Sequence, residues 1–296
     1  MATLYHSPLR EILEVLIDAV SAGAVQVLTA RRDHTVVADY KDAKELVTTA
    51  DRRSDAAILA VFRERFPRID TEIGFHLEES GFSGGNGRKL AGADPLDGTN
   101  AFASGGNLYS VQAHYVEDGI PMAGVILQPE VYMPLVEEPR CIGRITYATR
   151  GGGAFVRRAA FTGSGFEFGE ARRLERRVPP PVRSYAACVP ISTKMTEEER
   201  MRASRVHLSG LIATSTGTGG AGGNVVMIIL GGQHVYANFG AGDDLDLIPP
   251  QVIGLEAGIT VWGAERRPPV WNVRKQPVVF APNEEIAEQF LRAAGV

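Results

Sequence analysis

Asp94-Pro95-Leu96-Asp97-Gly98-Thr99 is the stretch around which this chain is organised. Two carboxylates flank a proline and an apolar residue, close enough to hold one or two hard cations between them. The proline fixes its own φ and stiffens the approach of the pair. Gly98 and Thr99 follow with backbone N–H groups that can open a helix and cradle an anion. Oxygen ligands for a metal beside N–H donors for a phosphate point to metal-assisted phosphoryl chemistry. Asp, Pro and Gly are also the commonest turn formers, so the hexamer alone reads equally as an acidic turn.

Composition narrows the surroundings of that hexamer. The 296 residues are 44% hydrophobic and 22% charged, which allows one large domain or two tightly joined lobes. A net charge of -4 gives no general attraction to a nucleic acid polymer or an anionic membrane. An anionic substrate must therefore be drawn in locally, and a bound cation is the simplest way. Cys141 and Cys188 are the only cysteines, which excludes a disulfide framework and a thiolate metal cluster. The six histidines show no zinc-site pairing. No apolar run reads as reaching membrane-spanning length, and no basic-then-apolar signal pattern opens the chain. The expected location is cytoplasmic, with no membrane partner.

Apolar periodicity predicts a first helix from Pro8 to about Leu28, through Ile12, Val15, Leu16 and Val20. Arg31 to Lys44 reads as an exposed loop or loose hairpin, Glu45 to Asp51 as a short strand or extended turn, and Ser54 to Phe66 as a second helix. A short strand is expected over Ile69–Ile73, followed by a glycine-rich loop from Gly81 to Gly92. Strands then follow at Tyr109–Val116, Ala123–Gln128, Val131–Val136, Ile145–Thr149 and Gly153–Arg157, with an Asp118-Gly119 hairpin turn between the first two. Helices followed by an antiparallel meander make an α+β pattern. Pro179-Pro180-Pro181 marks the expected boundary between an N-terminal α+β lobe (1–180) and a C-terminal α/β lobe (181–296). In the second lobe strands are expected at Ser184–Val189, His234–Asn238, Thr260–Trp262 and Pro277–Ala281. Helices are expected at Thr196–Leu208, Asn224–Leu230, Ile248–Ala257 and Asn283–Ala293.

Three further acidic positions close strand or turn segments: Asp51, the pair Glu78 and Glu79, and the group Asp243, Asp244 and Asp246. Singly each is an ordinary cap or solvated charge, and Asp51 and Asp246 are good helix N-cap residues. Together, and in this order, they resemble the inositol monophosphatase superfamily of magnesium-dependent, lithium-sensitive phosphatases. Its Asp-Pro-(Ile/Leu)-Asp-Gly-Thr signature with a following aromatic is similar to Asp94–Thr99 with Phe102. Its earlier Val-Thr-x-x-Asp element is similar to Val47–Asp51, and its Gly-Glu-Glu-Ser element to Leu77–Ser80, with leucine for glycine. Its late Trp-Asp and Glu-Ala-Gly elements resemble Leu245-Asp246 and Glu256-Ala257-Gly258, and its glycine-rich turn resembles Gly220–Gly223.

The resemblance implies a layered αβαβα sandwich, two or three Mg²⁺ ions, a small phosphorylated substrate and a homodimer. Metal ligands would be Glu78, Asp94, the Leu96 carbonyl, Asp97 and Asp246. The catalytic group would be Asp51, Thr99 and Glu78, with Thr99 oriented by Asp51 to position the attacking water. Substrate would rest on Gly98, Thr99, Asn100, Gly220, Ala221, Gly222, Phe239 and Asp246.

The departures from the family pattern are Leu245 in place of tryptophan, Pro249 and Pro250 in place of small residues, and Phe239 where inositol-specific members carry an acid. Prolines are tolerated in a first helical turn, where these are expected. The alternative function is a phosphate-ligand-binding or regulatory protein that keeps the fold without turnover. Gly217-x-Gly219-x-x-Gly222 also fits a dinucleotide fingerprint, and the basic run Arg172–Arg177 reads as a solvated face.

Overall fold

The computed structural model describes residues 8–40, 46–132, 142–180, 182–217, 219–271 and 275–296. Helix α1 spans Pro8–Arg32, strands β1 Ala38–Tyr40 and β2 Leu46–Thr48 pair as a hairpin, and α2 spans Thr49–Arg65. Next come β3 Gly74–Leu77, β4 Gly81–Ser83, β5 Lys89–Asp97 and the short α3 Thr99–Ala103. The meander is β6 Ser110–Glu117, β7 Ile120–Tyr132, β8 Ile142–Thr149 and β9 Gly153–Phe161, extended by β10 Phe166–Phe168 and β11 Arg172–Leu174. The remainder is β12 Tyr185–Cys188, α4 Glu197–Leu208, β13 Ile212–Ser215, α5 Ala221–Ile229, β14 Val235–Asn238, α6 Asp244–Glu256, β15 Thr260–Trp262, β16 Val278–Ala281 and α7 Glu284–Ala294.

Two sheets carry the architecture. A nine-stranded sheet runs β10-β9-β8-β7-β6-β5-β3-β4 with β11 also on β9, and a five-stranded sheet runs β13-β12-β14-β16-β15. The larger sheet is antiparallel except for the β3–β5 pair, which is parallel and brings two strand C-termini side by side. Helices α1 and α2 cover one face of the large sheet, α5 and α6 lie between the sheets, and α4 and α7 cover the outer face of the small sheet. This is the expected αβαβα layering. Three apolar clusters fill the layers: α1, α2 and the large sheet share one, α5 and α6 share another with both sheets, and α4 and α7 share the third with the small sheet.

Helix α1 meets the length and apolar composition of a membrane-spanning helix, contrary to the expectation that no run reaches that length. Its apolar stripe has another use here. Ile12, Val15, Leu16, Ala19, Val20 and Val27 are buried against α2 and the large sheet. A helix packed on two neighbours is apolar over most of its circumference for that reason.

Other boundaries shift with clear causes. The expected strand at Ile69–Ile73 is a turn, in which the Asp70 carboxylate accepts from Glu72 N at 2.8 Å. The strand begins only at Gly74, where β5 offers a partner. Part of the expected Gly81–Gly92 loop is strand, since β4 pairs with β3 and β5 already starts at Lys89. Pro249 and Pro250 lie not in the first turn of α6 but well inside it, because the helix starts at Asp244. Each interior proline removes a helical hydrogen bond at a cost of about 3 kcal/mol. Both are buried, and Pro249 packs directly on Gly124 of β7, so tertiary packing holds the helix through them. The expected strand at Val131–Val136 lies outside the described residues beyond Tyr132, as do Lys41–Glu45, Cys141 and Pro181.

Candidate active site

Four elements deliver carboxylates to one point. Strand β5 ends in Asp94, Leu96 and Asp97, and its pairing with β6 shifts register between Asp94 and Asp97, where Pro95 has no N–H to give. Glu78 follows β3 directly, with its N–H donating to Ala93 O at 3.3 Å, so the parallel pair sets Glu78 beside Asp94. Asp51 and Asp246 come from the first turns of α2 and α6. Neither is the N-cap that the sequence suggested. Thr48 and Asp243 occupy the caps, while Asp51 and Asp246 are the third helical residues whose carboxylates reach back to the cap N–H.

Carboxylate oxygens of Asp94, Asp97 and Asp246 all lie within 4.8 Å of one another. Asp94 and Asp97 are 2% and 6% exposed, too dry to hold full charge without compensation. Asp94 Oδ1 accepts from Leu96 N at 2.8 Å, which wraps the turn around Pro95. Asp97 is the most heavily hydrogen-bonded. Its Oδ2 accepts from Ser110 Oγ at 2.9 Å, Gly222 N at 3.2 Å and Gln112 Nε2, and its Oδ1 accepts from Ala221 N at 3.1 Å. Burial, followed by the charges of Glu78, Asp246 and Asp97, holds Asp94 protonated well above the usual carboxylate range. Asp246 is raised by burial and then by Asp243, Asp97 and Glu78. Asp97 is raised by burial, with its hydrogen bonds pulling the other way. Three mutually repelling carboxylates, two buried and Asp246 partly so, with oxygens this close could hold a hard cation, and the all-oxygen donor set suits Mg²⁺.

Asp51 serves a different group. Its Oδ2 accepts from Thr48 N at 2.8 Å and Thr48 Oγ1 at 2.5 Å, leaving Oδ1 to accept from Thr99 Oγ1 at 3.0 Å. The same hydroxyl lies 3.0 Å from Leu96 O. It has one proton, so it serves one of the two acceptors at a time. Burial raises Asp51, opposed by the hydrogen bonds from Thr48 and Thr99. Gly98 adopts φ +97° as the cap of α3, a left-handed conformation open to glycine without penalty. It turns the chain from β5 into α3 at the point where Gly98, Thr99 and Asn100 border one cavity.

Glu78, Asp94, Leu96, Asp97, Gly98, Thr99, Asn100, Gly220, Ala221 and Asp246 line a single cavity of about 760 Å³. Asp51 stands behind Thr99, and Gly222 stands behind Ala221 with its N–H on Asp97. Phe239 does not face the cavity. Its ring is 1% exposed in the apolar cluster of the small sheet with α4 and α7, so the side chain is core and touches no substrate there. The dinucleotide fingerprint at Gly217–Gly222 does lie between a strand and a helix, yet the Ala221 and Gly222 N–H groups bond Asp97 rather than facing a pyrophosphate.

Several lining residues were invisible as motifs. Cys188, Ile191, Thr193, Lys194, Tyr236 and Lys275 complete the wall, and they come from segments far apart in sequence with no local signature. Ser110 and Gln112 did carry a signal. Both are buried polar residues at alternating positions of the strand, paired with Asp97 and Asp94 respectively, and a buried polar pair on one sheet face asks for a partner.

The raised carboxylates set a pH dependence. Their folded-state values lie above the unfolded value of about 3.9, so the folded state binds more protons from that pH upward and stability falls as pH rises. Metal-free protein should therefore lose thermal stability as pH rises above about 4, and Mg²⁺ should raise the melting temperature more at the higher pH. Asp94→Asn should flatten the metal-free profile. Calorimetry on both proteins checks this, and equal slopes would contradict it.

Residues 8–295 match the inositol monophosphatase family. It is 30% identical over 179 residues to a fructose-1,6-bisphosphatase/inositol-1-monophosphatase of Thermotoga maritima, covering 60% of each chain. It is 34% identical over 148 residues to a chloroplastic phosphatase of Arabidopsis thaliana, covering 48% of this chain and 36% of that one. These matches thus span about a third to three-fifths of the relatives' lengths. Among solved structures, the extragenic suppressor protein suhB of Bartonella henselae superposes with a TM-score of 0.71 at 19% identity, covering 96% of both chains.

Proposed function

We propose, since this chain belongs to the inositol monophosphatase family, that it is a Mg²⁺-dependent phosphomonoesterase acting on a small polyol, sugar or nucleotide phosphate. The observation that carries the reading is the convergence of Asp94, Asp97 and Asp246 within 4.8 Å, in the cavity that Glu78 and Thr99 also line. Glu78, Asp94 and the Leu96 carbonyl would hold one ion and Asp94, Asp97 and Asp246 a second, making two or three ions in all.

Bound Mg²⁺ supplies a lowered pKa for water and neutralises charge on the phosphoryl oxygens. The chain's own residues do the remainder. The Thr99 hydroxyl, donating to Asp51 Oδ1, presents its lone pairs to the cavity and accepts a hydrogen from the attacking water. Asp51, raised by burial, draws the Thr99 proton and so strengthens that acceptor. Glu78, which also lines the cavity, would serve as a metal ligand and could accept a proton from the water. Phosphate oxygens would rest on the N–H groups of Gly98 and Thr99, which open α3 and have no helical partner. No covalent intermediate on the protein is required.

The leaving group would extend past Asn100 and Ala221 toward Lys194 and Lys275. With Phe239 buried as core, no acidic side chain grips ring hydroxyls at that position, which supports a substrate range broader than inositol phosphates. The departures that would favour a ligand-binding member without turnover do not displace the site. Leu245 is buried, and Asp246 is seated by its hydrogen bond from Asp243 N at 2.9 Å. Most ligands would lie in a lobe of residues 1–180 and Asp246 in a lobe of 181–296, in a cytoplasmic homodimer.

A panel of inositol phosphate, fructose bisphosphate, histidinol phosphate and 3′-phosphoadenosine 5′-phosphate, assayed with and without Mg²⁺, tests the proposal. It expects Mg²⁺-dependent phosphate release from at least one ester. A folded protein that turns over none of them contradicts it.

A further inference from the structure

Arg31, in the last turn of α1, lies outside the cavity lining yet converges on the segment that follows the phosphate loop. Its Nη1 donates to Glu130 Oε2 at 2.6 Å, and its Nη2 donates to the carbonyls of Phe102 at 3.1 Å and Gly106 at 2.8 Å. The guanidinium carbon lies 4.3 Å from the Phe102 ring centroid and 5.0 Å from that of Tyr109, and the two rings meet edge to face. The Tyr109 hydroxyl donates to the same Glu130 oxygen, and Asn107 Nδ2 donates to the Glu130 carbonyl at 2.9 Å. Two carbonyls, two rings and a carboxylate within residues 102–130 are thus tied to one planar cation.

That segment supports both loops of the site. Helix α3 has five residues, too few to hold its own conformation in water. The Leu108 carbonyl packs directly on the backbones of Gly98 and Gly219, one in each loop. We propose that Arg31 is a positioning residue: through the Phe102–Tyr109 segment it sets the placement of the Gly98–Thr99 N–H groups and of the Gly219–Gly222 turn that holds Asp97. The inference rests on the phosphatase reading for its kinetic consequences, though its geometric content does not. Lysine cannot replace it, because an ammonium has no plane to stack on Phe102 while bonding two carbonyls and a carboxylate.

The test uses full-length wild type, Arg31→Met and Arg31→Lys. In metal-free protein, Arg31→Met should speed amide exchange in peptides covering 98–109 and 219–222 about tenfold, with the α4–α7 layer unchanged. In Mg²⁺-loaded protein at 25 °C, kcat/KM should fall by about 10², and the inhibition constant for inorganic phosphate should rise. Arg31→Lys should recover less than half of the loss on a logarithmic scale, and added guanidinium ion should partly rescue Arg31→Met. A lowered melting temperature with unchanged exchange in those peptides, unchanged kinetics and no rescue would overturn the inference and leave Arg31 a stabilising residue only. If wild type releases no phosphate from any ester, the functional reading fails, while the exchange comparison still decides the placement of the loops.

Discussion

Asp97→Asn is expected to abolish useful phosphatase activity while leaving a folded protein. The substitution removes one charge from the metal cluster, a change worth several kcal/mol of transition-state stabilisation, so kcat/KM should drop by about 10³ or more. The amide also misfits its hydrogen-bond shell. The four donors around Asp97 are Ser110 Oγ, Gln112 Nε2, Ala221 N and Gly222 N, and an asparagine must turn its NH₂ toward at least one of them. Placing the amide nitrogen on the Oδ1 side sacrifices only the Ala221 bond, a loss of about 1 kcal/mol. Relief of burying a charge offsets part of that loss, so the melting temperature should move by no more than a few degrees. Phosphate release at saturating Mg²⁺, with a thermal melt on the same sample, measures both effects. A variant that keeps a tenth of wild-type activity would show that Asp97 holds no essential metal.

Gly220→Ala is expected to have the second largest effect, by a different route. Gly220 has an ordinary extended backbone, φ −118° and ψ 166°, so alanine brings no conformational strain there. Its Cβ would, however, overlap the Asp97 carboxylate. Either the carboxylate turns away from the cluster or the Gly219–Gly222 turn retreats and withdraws the Ala221 and Gly222 N–H groups. Displacement of that order costs about 10² in kcat, and the forced contact costs about 1–3 kcal/mol of stability. Because the carboxylate remains, the half-saturating Mg²⁺ concentration should rise, and excess Mg²⁺ should recover part of the activity that it cannot recover in Asp97→Asn. A Mg²⁺ titration of the two variants side by side distinguishes the routes.

The chemistry was more legible in the sequence than the geometry. Asp94–Thr99 could be recognised because the residues that hold a metal and an anion are adjacent in the chain, at the end of one strand. Asp51 and Asp246 were given site roles by the family resemblance, but the local pattern read them as N-caps. The actual caps, Thr48 and Asp243, put both aspartates one turn in, and for Asp51 this is what frees Oδ1 for Thr99 while Oδ2 closes the capping box. Periodicity cannot tell a cap from the third helical residue, since both are polar and both bond the helix end. The turn at Ile69–Ile73 misled because two isoleucines three intervening residues apart look like strand punctuation, whereas the strand forms where β5 supplies hydrogen bonds. Phe239 was placed at the substrate by alignment of positions alone. Its burial follows from the apolar face of the small sheet that α4 and α7 cover, which no local pattern reveals. Lys194 and Lys275 illustrate the same limit, since only the packing of distant segments brings them to one cavity.

The central claim is that the Asp94–Asp97–Asp246 cluster works by holding Mg²⁺ for hydrolysis of a phosphate ester. The most direct measurement is phosphate release by protein stripped of metal with a chelator and then titrated with Mg²⁺, using the best ester from the panel. Activity should be lost on stripping, return with Mg²⁺, and fail to return in Asp97→Asn at any Mg²⁺ concentration. Full turnover by the stripped wild-type protein, or full Mg²⁺-restored turnover by Asp97→Asn, would contradict it.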